Sequence, residues 1–211
     1  MTTLILAWRS LASRRTTALL SIIAIAVSIS LFVGVERIRI GAKSSFTSTI
    51  SGTDLIVGAR AGNVQLLLYS VFRIGNATSN ISMNSLEAVK AQSDVAWVVP
   101  ISLGDSHRGY RVMGTTSDYF KYYRYRNKQP LKFTEGQDFY DLFDVVVGAE
   151  IAEKLGYEMG TEIIVSHGIG AIDGAAHDNM PFKVSGILQR TGTPVDRTVH
   201  ISLEALEAIH I

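Results

Sequence analysis

Twenty residues separate Arg15 from Glu36, TTALLSIIAIAVSISLFVGV, and none of them carries a charge. At about 1.5 Å per residue a helix of that length reaches ~30 Å, the thickness of a bilayer's hydrocarbon core. A chain with such a segment must cross a membrane, lose the segment as a leader, or bury it. A cleaved signal peptide has an apolar region of roughly 7–15 residues and a small-x-small exit. Here the run is longer, and Glu36-Arg37-Ile38-Arg39 follows it. A buried soluble helix would be shorter or amphipathic. The segment therefore reads as an uncleaved transmembrane helix over residues 16–35.

Ala26, Ser30 and Gly34 lie four apart on one face of this helix, with Ala24 and Ser28 four apart beside them. Small residues at that spacing let helix backbones approach closely, which is a main source of attraction in lipid. The stripe points to partner helices, although Ser, Ala and Gly are also common in membrane helices that have none. Upstream, Leu4, Trp8 and Leu11 share a helical face with Ile5 and Ala12, and Arg9, Arg14 and Arg15 supply charge. A short basic amphipathic segment beside a span lies flat in the interface with its Trp at headgroup level. The same residues could form the first turns of one long helix. Three basic side chains on either side of the span, with Arg37, Arg39 and Lys43 beyond it, leave the orientation open on charge alone.

The remainder reads as a folded extramembrane body. Setting aside Arg9, Arg14 and Arg15, 17 Lys and Arg face 19 Asp and Glu. That balance gives no electrostatic footprint for nucleic acid. Without cysteine there is no disulfide framework and no thiolate metal site. Residues 36–51 continue the apolar helix as a helical stalk, and Gly52-Thr53 ends it. Strand-length apolar runs follow at Asp54–Gly58, Val95–Leu103, Arg111–Gly114, Val145–Gly148, Glu162–Ser166, Phe182–Leu188 and Thr198–Ser202. Between them Asn84 or Ser85 caps a helix over Leu86–Gln92, Gly156 stops Glu150–Leu155, and Leu203–Ile209 closes the chain. Strands and helices mixed without regular alternation predict an α+β domain over residues 52–211. The strand-to-helix ending, and the lack of a second span to match the small-residue stripe, make the chain read as the front part of something longer.

A search for chemistry finds no G-x-x-x-x-G-K-[ST], G-x-S-x-G or H-E-x-x-H pattern. Gly58-Ala59-Arg60-Ala61-Gly62 lacks the lysine of a phosphate loop and reads as a turn. His167 and His177, with Asp173 and Asp178, sit in a Gly-rich loop that could form an N/O metal site, yet scattered loop histidines are usually solvated. No catalytic residue, cofactor site or metal site is assigned. Asp118–Arg126, DYFKYYRYR, interleaves aromatics with bases as single-strand-binding surfaces do; the balanced charge favours a packed or partner-facing patch. Asn76-Ala77-Thr78 and Asn80-Ile81-Ser82 fit the glycosylation sequon in a Ser- and Thr-rich stretch where such matches are unremarkable.

Several stretches together resemble the first half of an ABC-transporter permease of the FtsX/MacB/LolC type. They are Leu6-Ala7-Trp8-Arg9-Ser10-Leu11 before the span and Gly52-Thr53-Asp54-Leu55-Ile56-Val57-Gly58 after it. Val112-Met113-Gly114-Thr115-Thr116-Ser117-Asp118-Tyr119-Phe120 follows, then Val145-Val146-Val147-Gly148-Ala149-Glu150, Ala152–Leu155 with Gly160, and Phe182-Lys183-Val184-Ser185-Gly186-Ile187-Leu188. The resemblance implies one membrane helix followed by a MacB-like periplasmic core domain, with residues 1–15 cytoplasmic or interfacial in a bacterial inner membrane. It also implies a homodimer or permease heterodimer and a separate cytoplasmic ABC ATPase, whose closure is transmitted to the periplasmic domains. Its work would fall on a substrate or partner outside the membrane, such as a lipoprotein, peptide, drug or cell-wall hydrolase. Lys121–Phe133 is longer and more aromatic than the family's pattern. Two rival readings remain on the residues alone: a bitopic periplasmic binding or signalling module, and a metal-dependent periplasmic enzyme using His167, His177 and Asp178.

Overall fold

The chain enters as α1 (Thr2–Ser13), turns at Arg14, and continues as α2 (Arg15–Thr49). The computed structural model describes residues 2–60, 62–75, 79–168 and 180–210, in two units, Met1–Ser45 and Phe46–Ile211. In the first unit the amide of Ala18 donates to the Arg14 carbonyl at 3.0 Å, so α2 starts its own ladder after the turn. The long apolar helix is therefore preceded by a separate helix. Arg15–Ser44 is long and apolar enough to cross a bilayer, and none of its most apolar window is buried. Within it, Ser28 folds its hydroxyl back onto the Ala24 carbonyl at 2.8 Å, the solution available to a hydroxyl that meets no water. The helix runs unbroken past Glu36 and Gly41 to Thr49, two residues short of the expected stalk's end.

In the second unit, α3 (Asn63–Ser70) and α4 (Met83–Lys90) precede a mixed sheet. Its strands are β1 (Ile101–His107), β2 (Tyr110–Thr115), β5 (Phe133–Gly136), β6 (Asp144–Val147), β7 (Glu162–Ile163), β8 (Ser166–His167), β9 (Phe182–Leu188) and β10 (Thr198–Ser202). Between β2 and β5 stand α5 (Asp118–Tyr122) and a separate hairpin of β3 (Arg124–Tyr125) and β4 (Gln129–Pro130). Helices α6 (Ala149–Leu155) and α7 (Leu203–Ala208) follow β6 and β10.

The sheet runs β5-β9-β6-β10-β2-β1-β8, and β7 also pairs with β9. β10 lies parallel to β2 and antiparallel to β6, while β6 lies parallel to β9. β7 and β8 are separated only by Ile164 and Val165, yet they pair with β9 and β1 respectively. One short segment thus reaches from the β9 side of the sheet to the β1 edge and closes it at that end.

Alternation along the central strands divides the core in two. Val145, Val147, Val199 and Ile201 face α6 and α7 with Ile151, Phe182 and Ala205. Val146, Met113 and Leu188 face the other way, onto Tyr119, Phe120, Tyr125 and Val195. β6 is buried on both faces and reads as the continuous apolar run VVV, while β9 alternates buried Phe182, Val184, Gly186 and Leu188 with more exposed Lys183, Ser185 and Ile187. Helix ends follow local chemistry: Gly156 takes a left-handed conformation (φ 66°) after α6, and Ser202 caps α7 through the Ala205 amide at 3.0 Å.

Four local expectations change. Asp54–Gly58 is extended but pairs with no strand among the described residues. The strand expected at Val95–Leu103 begins at Ile101, because Pro100 offers no amide to a ladder, and it runs on to His107. Glu162–Ser166 is two strands with different partners rather than one. Helix α4 starts earlier than expected, with Ser82 rather than Asn84 or Ser85 as its cap, accepting from the Ser85 amide at 3.2 Å.

Candidate functional site

The membrane helix is the first functional element. Trp8 is 76% exposed, and Arg9, Arg14 and Arg15 are exposed around it. The side chains of Leu4 and Leu11 lie outside the described ones. Ala26, Ser30 and Gly34 are exposed on α2, and a Cβ built at Gly34 meets nothing within 4 Å. The stripe is open space among the described residues.

The second element is the end of α2, whose last turn belongs to the second unit. A helix leaves its final carbonyls without intrahelical partners. Here the β3–β4 hairpin supplies them. The Arg126 amide donates to the Ser48 carbonyl at 2.9 Å, and the Tyr123 hydroxyl donates to the Thr49 carbonyl. Two residues on, the Ser51 amide donates to the Arg124 carbonyl at 3.0 Å, and the Ser51 hydroxyl accepts from the Lys128 amide at 3.0 Å. The hairpin tip holds Arg126, Asn127 and Lys128 at positive φ (30°, 45° and 63°), each a non-glycine residue in a costly conformation. The bonds from Arg126 to the end of α2 and from Lys128 to Ser51 offset that cost. Burial pushes the Tyr123 phenol well above its ordinary range, so it stays a proton donor.

Behind the hairpin, two lines of contact lead to the central strand β10. Tyr123 packs at a tilt on Tyr119 (centroids 4.9 Å apart), and Tyr119 lies against His200 of β10 at 5.4 Å. Arg126 covers Gly192: a Cβ built there would sit 2.5 Å from the guanidinium. Gly192 belongs to the turn before β10, which Asp196 organises by accepting from the Thr191 amide and hydroxyl at 2.8 Å each and from the Gly192 amide at 2.7 Å. The aromatic-basic stretch is accounted for in the same way. Tyr119, Phe120 and Tyr125 are buried, and Tyr122 stacks on Trp97 at 5.3 Å with Lys121 over its ring. Its rings are spent on packing.

The third element is a cleft of about 610 Å³ where β7 and β8 close the sheet, lined by His107, Arg108, Tyr157, Thr161, Glu162 and Ile164, among others. His107 is nearly buried; its Nδ1 donates to the Ile164 carbonyl at 2.6 Å, and its Nε2 accepts from the Tyr157 hydroxyl at 2.6 Å. Burial lowers its pKa, so the ring is neutral and both nitrogens are satisfied. Both ring nitrogens are thus engaged in holding β1 to the segment that carries Tyr157 and Ile164. His177, Asp173 and Asp178 lie outside the described residues, as does the Asn76-Ala77-Thr78 sequon, and among the described residues no cluster of three His, Asp or Glu side chains could hold a metal. Sequence reasoning missed the hairpin clasp entirely. Its one visible signal was the unusual length of Lys121–Phe133.

The MacB-like periplasmic core domain family model matches residues 18–211. The chain belongs to that family. It is thus a permease-type domain of the ABC-transporter context, from a transporter family rather than an enzyme family, and its N-terminal apolar helix makes it membrane-anchored. No curated protein matches the chain. Among solved structures, a domain of a presumed permease protein from Porphyromonas gingivalis is 8% identical with a TM-score of 0.37, covering 56% of this chain. The chain spans half the length of that structure.

Proposed function

We propose that this chain is the membrane-anchored front of an ABC-transporter permease, in which a cytoplasmic partner ATPase drives movement of the periplasmic domain to export or extrude a substrate. The observation that carries the reading is the family match, which runs from within the apolar helix through the whole sheet. In this reading residues 1–15 lie at the cytoplasmic face of a bacterial inner membrane, residues 16–35 span it, residues 36–51 form the stalk, and residues 52–211 are periplasmic. Trp8 sits at headgroup level with Arg9, Arg14 and Arg15 toward the anionic surface. Ala26, Ser30 and Gly34 receive a neighbouring helix of a second permease copy or a related permease chain. In this reading the domain itself makes and breaks no bond, and the satisfied state of His107 in the cleft supports this.

The test is co-purification. The full-length gene product, tagged and extracted in mild detergent, is expected to bring down an ABC ATPase, and ATP hydrolysis by that ATPase is expected to change when the permease is present. Recovery of the permease with no ATPase at near-stoichiometric level would remove the motor from the account.

A further inference from the structure

We infer that the β3–β4 hairpin is the joint through which movement of α2 enters the sheet. The inference rests on the permease reading for what is transmitted; the joint itself rests on geometry. A helix that merely led into a domain would end in a loop, with its last carbonyls capped locally or by water. Here Ser48 and Thr49 are instead bonded to residues more than seventy positions away in sequence. Ser51, just after the helix, is held through both its amide and its hydroxyl by the same hairpin. The hairpin is in turn fixed to β10 twice, through Tyr123–Tyr119–His200 and through Arg126–Gly192 and the Asp196 turn. β10 is the central strand, bonded to β2 on one side and β6 on the other. A displacement of the last turn of α2 therefore reaches the middle of the sheet without passing through a flexible linker. Tyr123, Ser51 and Arg126 are positioning residues in this scheme.

The extended segment Asp54–Gly58 is a poorer route. It leaves the helix on the other side of Ser51 and makes no hydrogen bond to a strand among the described residues. Movement carried along it would be lost in its own bending. The hairpin also explains why Lys121–Phe133 is long: it must reach the end of α2 and return to β5.

Two measurements on the full chain in nanodiscs test the joint. The first is hydrogen exchange resolved to short peptides. Tyr123→Phe removes one hydroxyl, and Ser51→Ala removes the acceptor of the Lys128 amide. Each is expected to speed exchange at Ser51, Arg126 and Lys128 at least tenfold while β2, β6 and β10 keep their protection. Unchanged exchange at those amides overturns the joint. Exchange that rises everywhere, β6 included, overturns it too, since the hydroxyl would then be serving the core.

The second is a distance distribution between spin labels at Ser48→Cys, on the last turn of α2, and Glu207→Cys, both in the second unit and introduced cleanly into a chain without cysteine. A single narrow distribution is expected, at least twofold broader when Tyr123→Phe and Arg126→Ala are combined. A distribution already broad, or one that the double variant leaves unchanged, contradicts the joint. Neither readout needs the ATPase. Failure of co-purification would thus remove the permease reading and leave the joint standing, while failure here would remove the joint alone.

Discussion

Lowering the pH should destabilise this domain through the buried side chain of His200. It is fully buried in β10, flanked by Tyr119 at 5.4 Å and Phe120 at 5.8 Å. Its Nδ1 donates to the Val146 carbonyl at 3.2 Å, and its Nε2 has no partner among the described residues. Burial, with a lesser contribution from the Arg73 charge, lowers its pKa from 6.5 to about 3. The unfolded chain therefore binds the proton first as pH falls. Stability contributed by the neutral ring is fully present above pH 6.5 and drains away down to about pH 3. Linkage between those two values removes about 1.9 kcal/mol from pH 7 to pH 5, at a limiting slope of about 1.4 kcal/mol per pH unit. Urea denaturation of the detergent-solubilised chain, followed by near-ultraviolet circular dichroism, reads the loss in a range where carboxylates barely titrate. His200→Leu keeps the volume and cannot be protonated, so it should flatten the profile by about that amount. A variant with the same pH dependence as the parent would refute the reasoning.

His107 shifts in the same direction for the same reason, so His107→Gln should flatten the remaining slope between pH 7 and pH 5, read by the same denaturation series. Phe182→Ala empties a fully buried site against Phe143 and should cost about 3–5 kcal/mol by urea midpoint, with an unchanged m-value. Gly148→Ala drives a methyl into the Val195 carbonyl at an ordinary backbone angle, so it should abolish a cooperative unfolding transition while Gly62→Ala, with open space around it, leaves the transition in place. Gly34→Ile should weaken self-association in lipid about tenfold, measured by fluorescence transfer between labelled copies, whereas Ile→Val at position 25 should leave it unchanged.

What could be read from the chain depended on how local the cause was. The membrane helix followed from hydropathy, which needs no partner to be recognised. β9 and β10 match their expected bounds because apolar residues recur at every second position, Phe182, Val184 and Leu188 in one and Val199 and Ile201 in the other, and α6 matches its stop because Gly156 takes the left-handed turn itself. Asp54–Gly58 has strand composition too, but a ladder needs a neighbour, and pairing is a long-range fact. α3 escaped notice because Gly62 offers no side-chain cap and Leu66-Leu67-Leu68 suits strand or helix equally. β1 carries Gly104, Asp105, Ser106 and His107, a polar run that is tolerated as strand only because groups such as the Ile164 carbonyl and the Tyr157 hydroxyl are brought to it by the fold. The clasp was the least legible feature. Its tip turns on Arg126, Asn127 and Lys128 without glycine, and its purpose lies in Ser48 and Thr49, seventy residues upstream. Length and aromatic content marked the segment as unusual, and only the fold shows what it holds.

In the proposed reading the sheet stands on the far side of the membrane from the motor. The absence of cysteine makes this directly measurable: a single Glu207→Cys or Arg9→Cys is probed with a membrane-impermeant maleimide in cells whose outer membrane has been opened. Position 207 should label in intact cells, and position 9 only after the inner membrane is disrupted. Labelling at position 9 in intact cells, with position 207 protected, would contradict it.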